Sequence, residues 1–168
     1  MIRPRNDEDV DRCIRLLRTV YLNDGYPANW PNDPEQWLAG RNTTAAWVAD
    51  ERGELVGHIA LTAPDPQRTW QQWQGAVGVG AERLAVVRRL FVAPRWRRQG
   101  VATSLLDCAQ READRQERRL VLDVADHNHA AIDFWKRHGW LQVGRASLPP
   151  GDEGRALRLL LFVAPDAP

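Results

Sequence analysis

The sequence predicts a single domain of mixed α/β class over residues 1–168. Between residues 86 and 106 an apolar, β-branched run stops at Pro94, a basic turn follows, and a helical pattern opens at Gln99 and Gly100. A second apolar run, from Leu120 to Ala125, is also followed by a helical pattern. A chain of 168 residues is long enough to bury a core, and 43% hydrophobic residues is typical of a globular protein. A split into two domains is not expected.

The first part of the chain predicts a strand, a helix and a long loop. Residues 1–4 form the predicted strand, and Asn6 or Asp7 caps a helix that continues to about Tyr21. The Pro- and Asn-rich stretch 22–40 predicts a loop with one short helix from Pro34. This loop contains three aromatic residues, Tyr26, Trp30 and Trp37. Their side chains either fill the core beneath the loop or line a pocket.

A hairpin and an irregular stretch precede the central strand. Residues 45–50 and 55–62 flank a Gly-containing turn and predict two paired strands, with His58 on the second. A single histidine on a strand is more often a structural hydrogen-bonding group than a base, and His58 is interpreted in that way. Residues 63–83 interrupt the pattern with Pro, Gln and Gly, which predicts a flexible excursion or a hairpin tip near residues 78–80.

Further helices and strands follow the central strand. The spacing predicts a helix over 99–116, whose charged end is a solvated face, and a strand over 120–125. Asn128 then starts a short helix that Gly139 ends. Residues 140–145 return as a strand, and a polar link at 149–154 leads to a last apolar strand over 156–163.

Composition and charge exclude several classes of protein. A formal net charge of +1 gives no field that would attract nucleic acid or an anionic membrane, although arginines cluster locally. The N-terminus is polar from the third residue and predicts neither a signal peptide nor a spanning helix, so we expect a cytoplasmic protein. Cys13 and Cys108 lack the spacing of a disulfide framework and are interpreted as two buried thiols. Histidines 127, 129 and 138 are spaced irregularly for a metal, so no metal site is expected.

The turn before the helix at 99–116 has the pattern of an anion site, which is a weak signal when taken alone. A helix that starts directly from a Gly-containing loop leaves its first amides unpaired, and the positive end of its dipole makes an anion site. Gly100 and Ala102 carry almost no side chain, so a phosphate can approach the backbone, while Arg97 and Arg98 add charge at the rim. Neither a Walker ending nor a G-x-G-x-x-G fingerprint is present. The pattern therefore predicts a pyrophosphate held by backbone amides without a metal.

Two ordered motifs carry a family resemblance. The first is Arg97-x-x-Gly100-x-Ala102 after a strand that ends LFVAP, and the second is LVLDVADHNHAAIDFWKRHGW over residues 120–140. Together they resemble the GCN5-related N-acetyltransferase (GNAT) family over residues 84–143. The resemblance implies a central, mostly antiparallel sheet of six to seven strands, splayed at the middle and flanked by about four helices. It also implies acetyl-CoA as co-substrate and direct movement of the acetyl group from the thioester to a primary amine.

The resemblance also assigns coenzyme-binding residues. Backbone groups of Leu90, Phe91 and Val92 are expected to pair with the pantetheine arm, and one amide near Phe91 or Val92 to polarise the acetyl carbonyl. Asn128, in the motif N-x-x-A, would contact the pantetheine or the sulfur region while also capping its helix. The pyrophosphate would lie against the loop and the first helical turn, namely Arg97, Arg98, Gln99, Gly100, Val101, Ala102 and Thr103.

The second motif supplies the catalytic candidates Asp123, Asn128 and Trp135. Asp123 stands where related alanine acetyltransferases of ribosomal proteins carry Glu. It would either act as a base through a water or be a surface or ion-paired carboxylate. Glu82 and His58 are the other candidates for the base.

Trp135 departs from the family pattern. Many members have a Tyr at this position whose phenol protonates the coenzyme A thiolate, but an indole N–H does not give up its proton in this pH range. The thiolate then leaves with help from water or from another group, or acetyl transfer is slow or absent. The interpretation chosen is that Trp135 packs along the coenzyme and hydrogen-bonds the sulfur.

Composition also bears on the acceptor. A nearly neutral chain with eight tryptophans, several in loops, favours a small amine that is amino-acid-like, an antibiotic or a toxin. The alternatives are a protein N-terminus or lysine as acceptor, and a non-catalytic module that binds acetyl-CoA as a sensor or interaction domain. A nucleic-acid binder acting through arginines 88, 89, 95, 97 and 98 would require strongly salt-dependent binding, which is not expected. Dimers are common among the proteins that the chain resembles, and a homodimer remains open.

Overall fold

The protein is described by a computed structural model over residues 1–68, 70–149 and 156–166. The polar link expected at 149–154 lies outside the described residues except for Pro149. The strands are β1 (Ile2–Pro4), β2 (Thr43–Glu51), β3 (Glu54–Thr62), β4 (Leu84–Val92), β5 (Arg119–Ala125), β6 (Leu141–Leu148) and β7 (Leu157–Val163). The α-helices are α1 (Val10–Asp24), α2 (Pro34–Ala39), α3 (Trp70–Val77), α4 (Val101–Arg115) and α5 (His129–Arg137).

The expected mixed α/β class is confirmed. The described residues contain a seven-stranded sheet with the order β1-β2-β3-β4-β5-β7-β6. β4 runs parallel to β5, with residues 84–86 opposite 119–121, whereas the pairs β1/β2, β2/β3, β5/β7 and β6/β7 are antiparallel. Five α-helices occur in the described ranges, where about four were expected.

The chain divides into two compact units. The first unit comprises Met1–Thr62 and Val87–Arg115, and the second comprises Ala63–Val86 and Gln116–Pro168. β4 therefore contributes its first three residues to the second unit and the rest to the first. The expectation of one domain stays a prediction.

In the first unit α4 packs against the hairpin of β2 and β3. Gly57 on β3 permits a close approach, since a Cβ at that position would lie 2.9 Å from Cδ1 of Leu105 and 3.0 Å from Cγ1 of Val101. α1 lies against β3 with a face that is fully buried at Cys13 and Leu17. The start of α4 is thereby seated on a strand that is covered by two helices.

The start of α1 is fixed by a cap and an ion pair. Oδ1 of Asn6 accepts a hydrogen bond from the backbone N–H of Asp9 at 3.0 Å, which caps a short 3-10 turn before the helix. The buried carboxylate of Asp9 accepts two N–H bonds from Arg3, at 2.7 and 2.8 Å. These hydrogen bonds lower the pKa of Asp9 to about 2.

Two helices differ from the sequence expectation. α1 continues to Asp24, beyond the expected end near residue 21, and stops where Gly25 adopts a φ of 72°. α3 forms where an excursion or hairpin tip was expected, because Trp73 is an anchor of the second unit's core. Its side chain is 1% exposed, and its Nε1 donates to the carbonyl of Leu122 at 3.2 Å. Gly78, with a φ of 70°, ends that helix.

The two cysteines of the first unit lie in different environments. Cys13 is fully buried, and burial raises the pKa of its thiol to about 12. Cys108 is only partly buried, and its Sγ accepts a hydrogen bond from Nη2 of Arg111 at 3.0 Å. The expectation of a buried thiol is therefore right for Cys13 and wrong for Cys108.

Candidate active site

The loop between β4 and α4 opens onto free space at its glycine. After a 3-10 turn at Pro94–Trp96, Arg98 and Gly100 both adopt left-handed backbone conformations, with φ of 60° and 81°. No heavy atom lies within 4 Å of the position that a Cβ on Gly100 would take. The backbone therefore turns sharply here and stays accessible to a ligand.

The first turn of α4 presents backbone amides toward this loop. Ser104 donates an i to i−4 bond to the carbonyl of Gly100, at 2.9 Å. The N–H groups of Val101 and Ala102 precede it, so the helix itself offers them no acceptor. They lie at the positive end of the dipole of a 15-residue helix. The side-chain amide of Gln99 donates to the carbonyl of Arg95 at 2.9 Å and helps to hold the loop.

The two arginines expected at the rim have different surroundings. Arg97 bonds within the protein, since its Nε donates to the carbonyl of Val92 at 3.1 Å and its Nη1 lies 2.8 Å from Oδ2 of Asp24. It therefore ties the end of β4 to the end of α1. Arg98 is exposed, and no hydrogen bond or ion pair holds its side chain in the described part of the chain.

His58 fixes the backbone of β4 just before the residues expected to contact the coenzyme. It is 0% exposed; its Nε2 lies 3.0 Å from Nη1 of Arg5 and its Nδ1 lies 2.9 Å from the carbonyl of Arg89. A guanidinium can only donate, so Nε2 is the acceptor and Nδ1 carries the hydrogen that bonds to Arg89. Burial lowers the pKa of His58 to about 3, which keeps the ring neutral. The structural interpretation of His58 agrees with this geometry.

Arg89 itself has an unusual backbone. Its φ of 54° is left-handed, although it lies within β4 and is not a glycine. A left-handed residue within a strand occurs in some types of β-bulge. For a residue other than glycine this conformation costs about 1 kcal/mol or more. The guanidinium of Arg89 lies over the ring of Trp37, with Cζ 4.8 Å from the ring centroid.

The expected coenzyme-contact residues of β4 lie directly after Arg89. Leu90 is half-buried, whereas Phe91 and Val92 are buried. The Phe91 ring stacks on His58 with centroids 5.1 Å apart, and Tyr26 approaches it at 6.4 Å. The strand end is therefore held by aromatic packing on its side chains.

The aromatic residues of the loop at 22–40 serve mainly as packing partners. Tyr26 lies between Phe91 and Trp37, with centroid distances of 6.4 Å to each. Trp30 packs on Tyr21 at 5.2 Å and beneath the guanidinium of Arg18. Tyr26 and Trp30 are half-buried and pack on other aromatic rings outside the fully buried core, while Trp37 supports Arg89, which lines a cavity.

A cavity of about 260 Å³ in the first unit is lined on one side by Arg89 of β4. The described residues that line it carry two guanidinium groups and no carboxylate. They are Gln36, Gly40, Arg41, Asn42, Thr43, Thr62 and Arg89. Sequence reasoning missed this cavity because its lining comes from three separate stretches, and no local signal marks Arg41 or Arg89 as partners.

All three catalytic candidates belong to the second unit. Asn128 caps α5, since its Oδ1 accepts from the N–H of Ala131 at 3.2 Å, which confirms the predicted cap. Asp123 is half-buried in the middle of β5, opposite Leu161 of β7. Trp135 is 5% exposed and packs between Phe134 and Trp140, each with a ring centroid 4.9 Å away. The loop from Arg97 to Thr103 and the strand end belong to the first unit.

The described ranges contain no cluster of three or more His, Cys, Asp or Glu side chains that could hold a metal ion. They also contain no helix that is long and apolar enough to cross a membrane.

Comparisons with known proteins agree with the motifs. Residues 11–140 match the model of the Acetyltransferase (GNAT) family. An uncharacterized N-acetyltransferase from Methanocaldococcus jannaschii is 28% identical over 144 residues, which cover 83% of this chain and 59% of that relative. This chain therefore matches only 59% of the relative's length.

Solved structures share the fold at low sequence identity. A ribosomal-protein-alanine N-acetyltransferase from Brucella melitensis has a TM-score of 0.69 at 22% identity, with 97% of this chain and 98% of that chain covered. Arabidopsis thaliana NAA60 in complex with acetyl-CoA has a TM-score of 0.72 at 20% identity, with 97% and 96% covered.

Proposed function

Because the chain belongs to the acetyltransferase (GNAT) family, we propose that it transfers the acetyl group of acetyl-CoA directly to the primary amine of a small molecule. The observation that carries the proposal is the loop that joins β4 to α4. Its left-handed Gly100 leaves open space in front of the free amides of Val101 and Ala102. Backbone amides grouped at the start of a helix in this way favour the binding of a pyrophosphate.

The residues present fit the coenzyme. The amides and the helix dipole favour a diphosphate, and the exposed Arg98 adds a positive charge at the rim. Arg97 acts differently from the sequence expectation of a rim charge, because it is bonded to Val92 and Asp24; we assign it to positioning the loop. When bound, acetyl-CoA supplies an acetyl group already activated as a thioester.

The chain's own residues would then orient the bound coenzyme and polarise the acetyl carbonyl. The backbone of Leu90, Phe91 and Val92 would align the pantetheine arm, and an amide near Phe91 would stabilise negative charge on the acetyl oxygen. The stacking of Phe91 on His58 keeps this backbone in one position. Asn128 would contact the arm with the hydrogen-bonding groups that the helix cap leaves over.

Two protons must move during the transfer. The attacking amine loses one, and Asp123 is the base that we propose, acting through a water. His58 is not suited to that task, because it is fully buried and both of its ring nitrogens are engaged. The thiolate of the departing coenzyme A gains a proton, which we assign to water, since the buried indole of Trp135 offers no acid.

The size of the cavity supports a small acceptor. The cavity is partly open to solvent, and its volume of about 260 Å³ is enough for a molecule with the dimensions of an amino acid. A protein N-terminus or a lysine side chain is the second candidate acceptor. A module that binds acetyl-CoA without turnover is the third candidate, and only the Trp in place of Tyr at 135 favours it.

A glycine substitution tests the loop. Gly100→Val introduces a β-branched side chain at a φ of 81°, so we expect acetyl-CoA affinity in calorimetry to fall by at least about tenfold. Gly53→Val is the matched control, because Gly53 also has a positive φ of 85° and open space around it but lies in the turn between β2 and β3. Equal affinity in both variants would contradict the loop assignment.

A thiol-release assay with a panel of small amines, peptides with free N-termini and lysine peptides then separates the candidates. Release with small amines supports the proposed acceptor class, and release with peptides alone supports the second candidate. Acetyl-CoA binding without release under any acceptor supports the non-catalytic module.

A further inference from the structure

The cavity beside β4 has a charge that the proposed function does not use. Of the described residues that line it, Arg41 and Arg89 are cationic, Asn42 and Thr43 are polar, and none is acidic. Arg41 is exposed, and no hydrogen bond or ion pair holds its side chain in the described ranges. Two guanidiniums on one small cavity favour an anionic group, and their planar N–H groups match a carboxylate in particular.

Arg89 is held where this anion would bind. Its backbone carbonyl accepts the bond from Nδ1 of His58, its φ is 54°, and its side chain lies over Trp37. A strained conformation that is kept by the surrounding structure points to a use for the residue that adopts it. The side chain therefore lines the cavity from a fixed backbone.

The position of the cavity relates it to the transfer reaction. Arg89, which lines the cavity, lies one residue before Leu90 and two before Phe91, so one lining residue adjoins the backbone proposed to polarise the acetyl group. Two residues of a strand span about 6.6 Å. In an α-amino acid a single carbon separates the amine from the carboxylate, so a carboxylate on Arg89 would leave the amine near this backbone.

We propose that this cavity binds the carboxylate of the acceptor, so that the substrates are amines that carry a carboxylate close to the amino group, as amino acids do. Arg41 and Arg89 are the specificity-determining residues. This inference rests on the proposed acetyl transfer to a small amine, and it adds the class of that amine.

A binding measurement tests the cavity independently of turnover. The probes are N-acetyl derivatives of glycine, methionine, phenylalanine and glutamate, each paired with its α-carboxamide, titrated into the full chain saturated with coenzyme A. For at least one pair we expect the acid to bind about tenfold or more tightly than the amide, because a hydrogen bond to a charged group is lost in the amide. Equal binding within every pair, or no binding of any acid, overturns the proposal.

Variants locate the binding group. Arg41→Gln and Arg89→Gln are each expected to reduce acid affinity about tenfold and to leave the amide affinity unchanged, while Arg41→Lys retains part of the preference. Arg15→Gln is the matched control, because Arg15 is an exposed arginine on α1 outside the cavity. If Arg89→Gln fails to fold, Arg41→Gln alone decides. An acid preference that survives Arg41→Gln and any folded Arg89→Gln overturns the assignment of these residues.

The same pairs, now with free amines, connect binding to turnover. Thiol release is expected to show a lower KM for each amino acid than for its carboxamide, and Arg41→Gln is expected to raise that KM with little change in kcat. An acid preference in binding with no thiol release from any amine leaves the cavity assignment standing and contradicts the proposed transfer. Turnover of amides and acids with equal KM supports the proposed transfer and contradicts the cavity assignment.

Discussion

The buried histidine makes the stability of the protein depend on pH in a specific way. His58 is 0% exposed, and burial lowers its pKa from 6.5 to about 3 in the folded chain. Below pH 6.5 the unfolded chain therefore binds a proton that the folded chain does not bind. Because the unfolded state binds more protons, the free energy of unfolding falls as the pH falls through this window.

The size of the effect follows from the pKa values. Each pH unit below the unfolded value costs about 1.4 kcal/mol until the folded pKa is reached. Between pH 7.5 and pH 4.5 the contribution of His58 is therefore a loss of about 2.7 kcal/mol. Other titrating groups change the stability over the same range, so a variant that lacks only this proton is needed as the reference.

His58→Asn and His58→Gln supply that reference. Asn places a donor near the position of Nδ1 and can keep the bond to Arg89, whereas Gln can keep an acceptor for Arg5. Urea denaturation of each variant and of the parent chain at several pH values gives the difference in the free energy of unfolding. At pH 7.5 the parent is expected to be more stable, and its advantage is expected to shrink by about 2.7 kcal/mol at pH 4.5.

Two further comparisons keep this test decisive. His127→Asn makes the same exchange at an exposed histidine and reports on the substitution alone. A difference between parent and His58 variants that stays constant from pH 7.5 to 4.5 would refute a buried neutral His58. So would a difference that grows as the pH falls.

Two other substitutions test an ion pair and a proton donor. Asp9→Asn removes a carboxylate whose pKa is lowered from 3.8 to about 2 by its hydrogen bonds to Arg3. That carboxylate contributes about 2 kcal/mol above pH 4 and loses it as the pH falls toward 2, so urea denaturation at pH 7 and pH 3 is expected to show a smaller deficit of the variant at pH 3. Trp135→Tyr restores a phenol where many family members have one, and kcat is expected to rise relative to the parent and to Trp135→Phe, which removes the indole without adding an acid. A kcat equal to that of Trp135→Phe would mean that water already protonates the thiolate at a sufficient rate.

The elements around the loop could be predicted because their signals are local. A β-branched run before Pro94, a glycine at 100 and apolar residues at helical spacing are all contained within about twenty residues, and strand and helix form there. The cap at Asn128 is equally local. The roles of these residues in binding acetyl-CoA stay predictions.

The features that the sequence did not reveal depend on distant partners or on context. α3 is only eight residues long and contains three glutamines and a glycine, and it is anchored because Trp73 reaches Leu122, 49 residues away in the chain. The left-handed backbone at Arg89 is not a residue preference, since arginine has none for that region, and the bond from His58 spans 31 residues. Long-range contacts of this kind leave no pattern in a single sequence.

The pairing of Arg97 with Asp24 bears on how ionic strength would act on coenzyme affinity. A side chain whose charge is compensated by a carboxylate at 2.8 Å contributes little long-range attraction to an approaching diphosphate. Of the two rim arginines only Arg98 then keeps an uncompensated charge, and the remaining attraction comes from peptide dipoles at short range, which dissolved ions screen far less than they screen separated point charges. Coenzyme affinity in such a loop would depend less steeply on salt concentration than in a site with two uncompensated arginines.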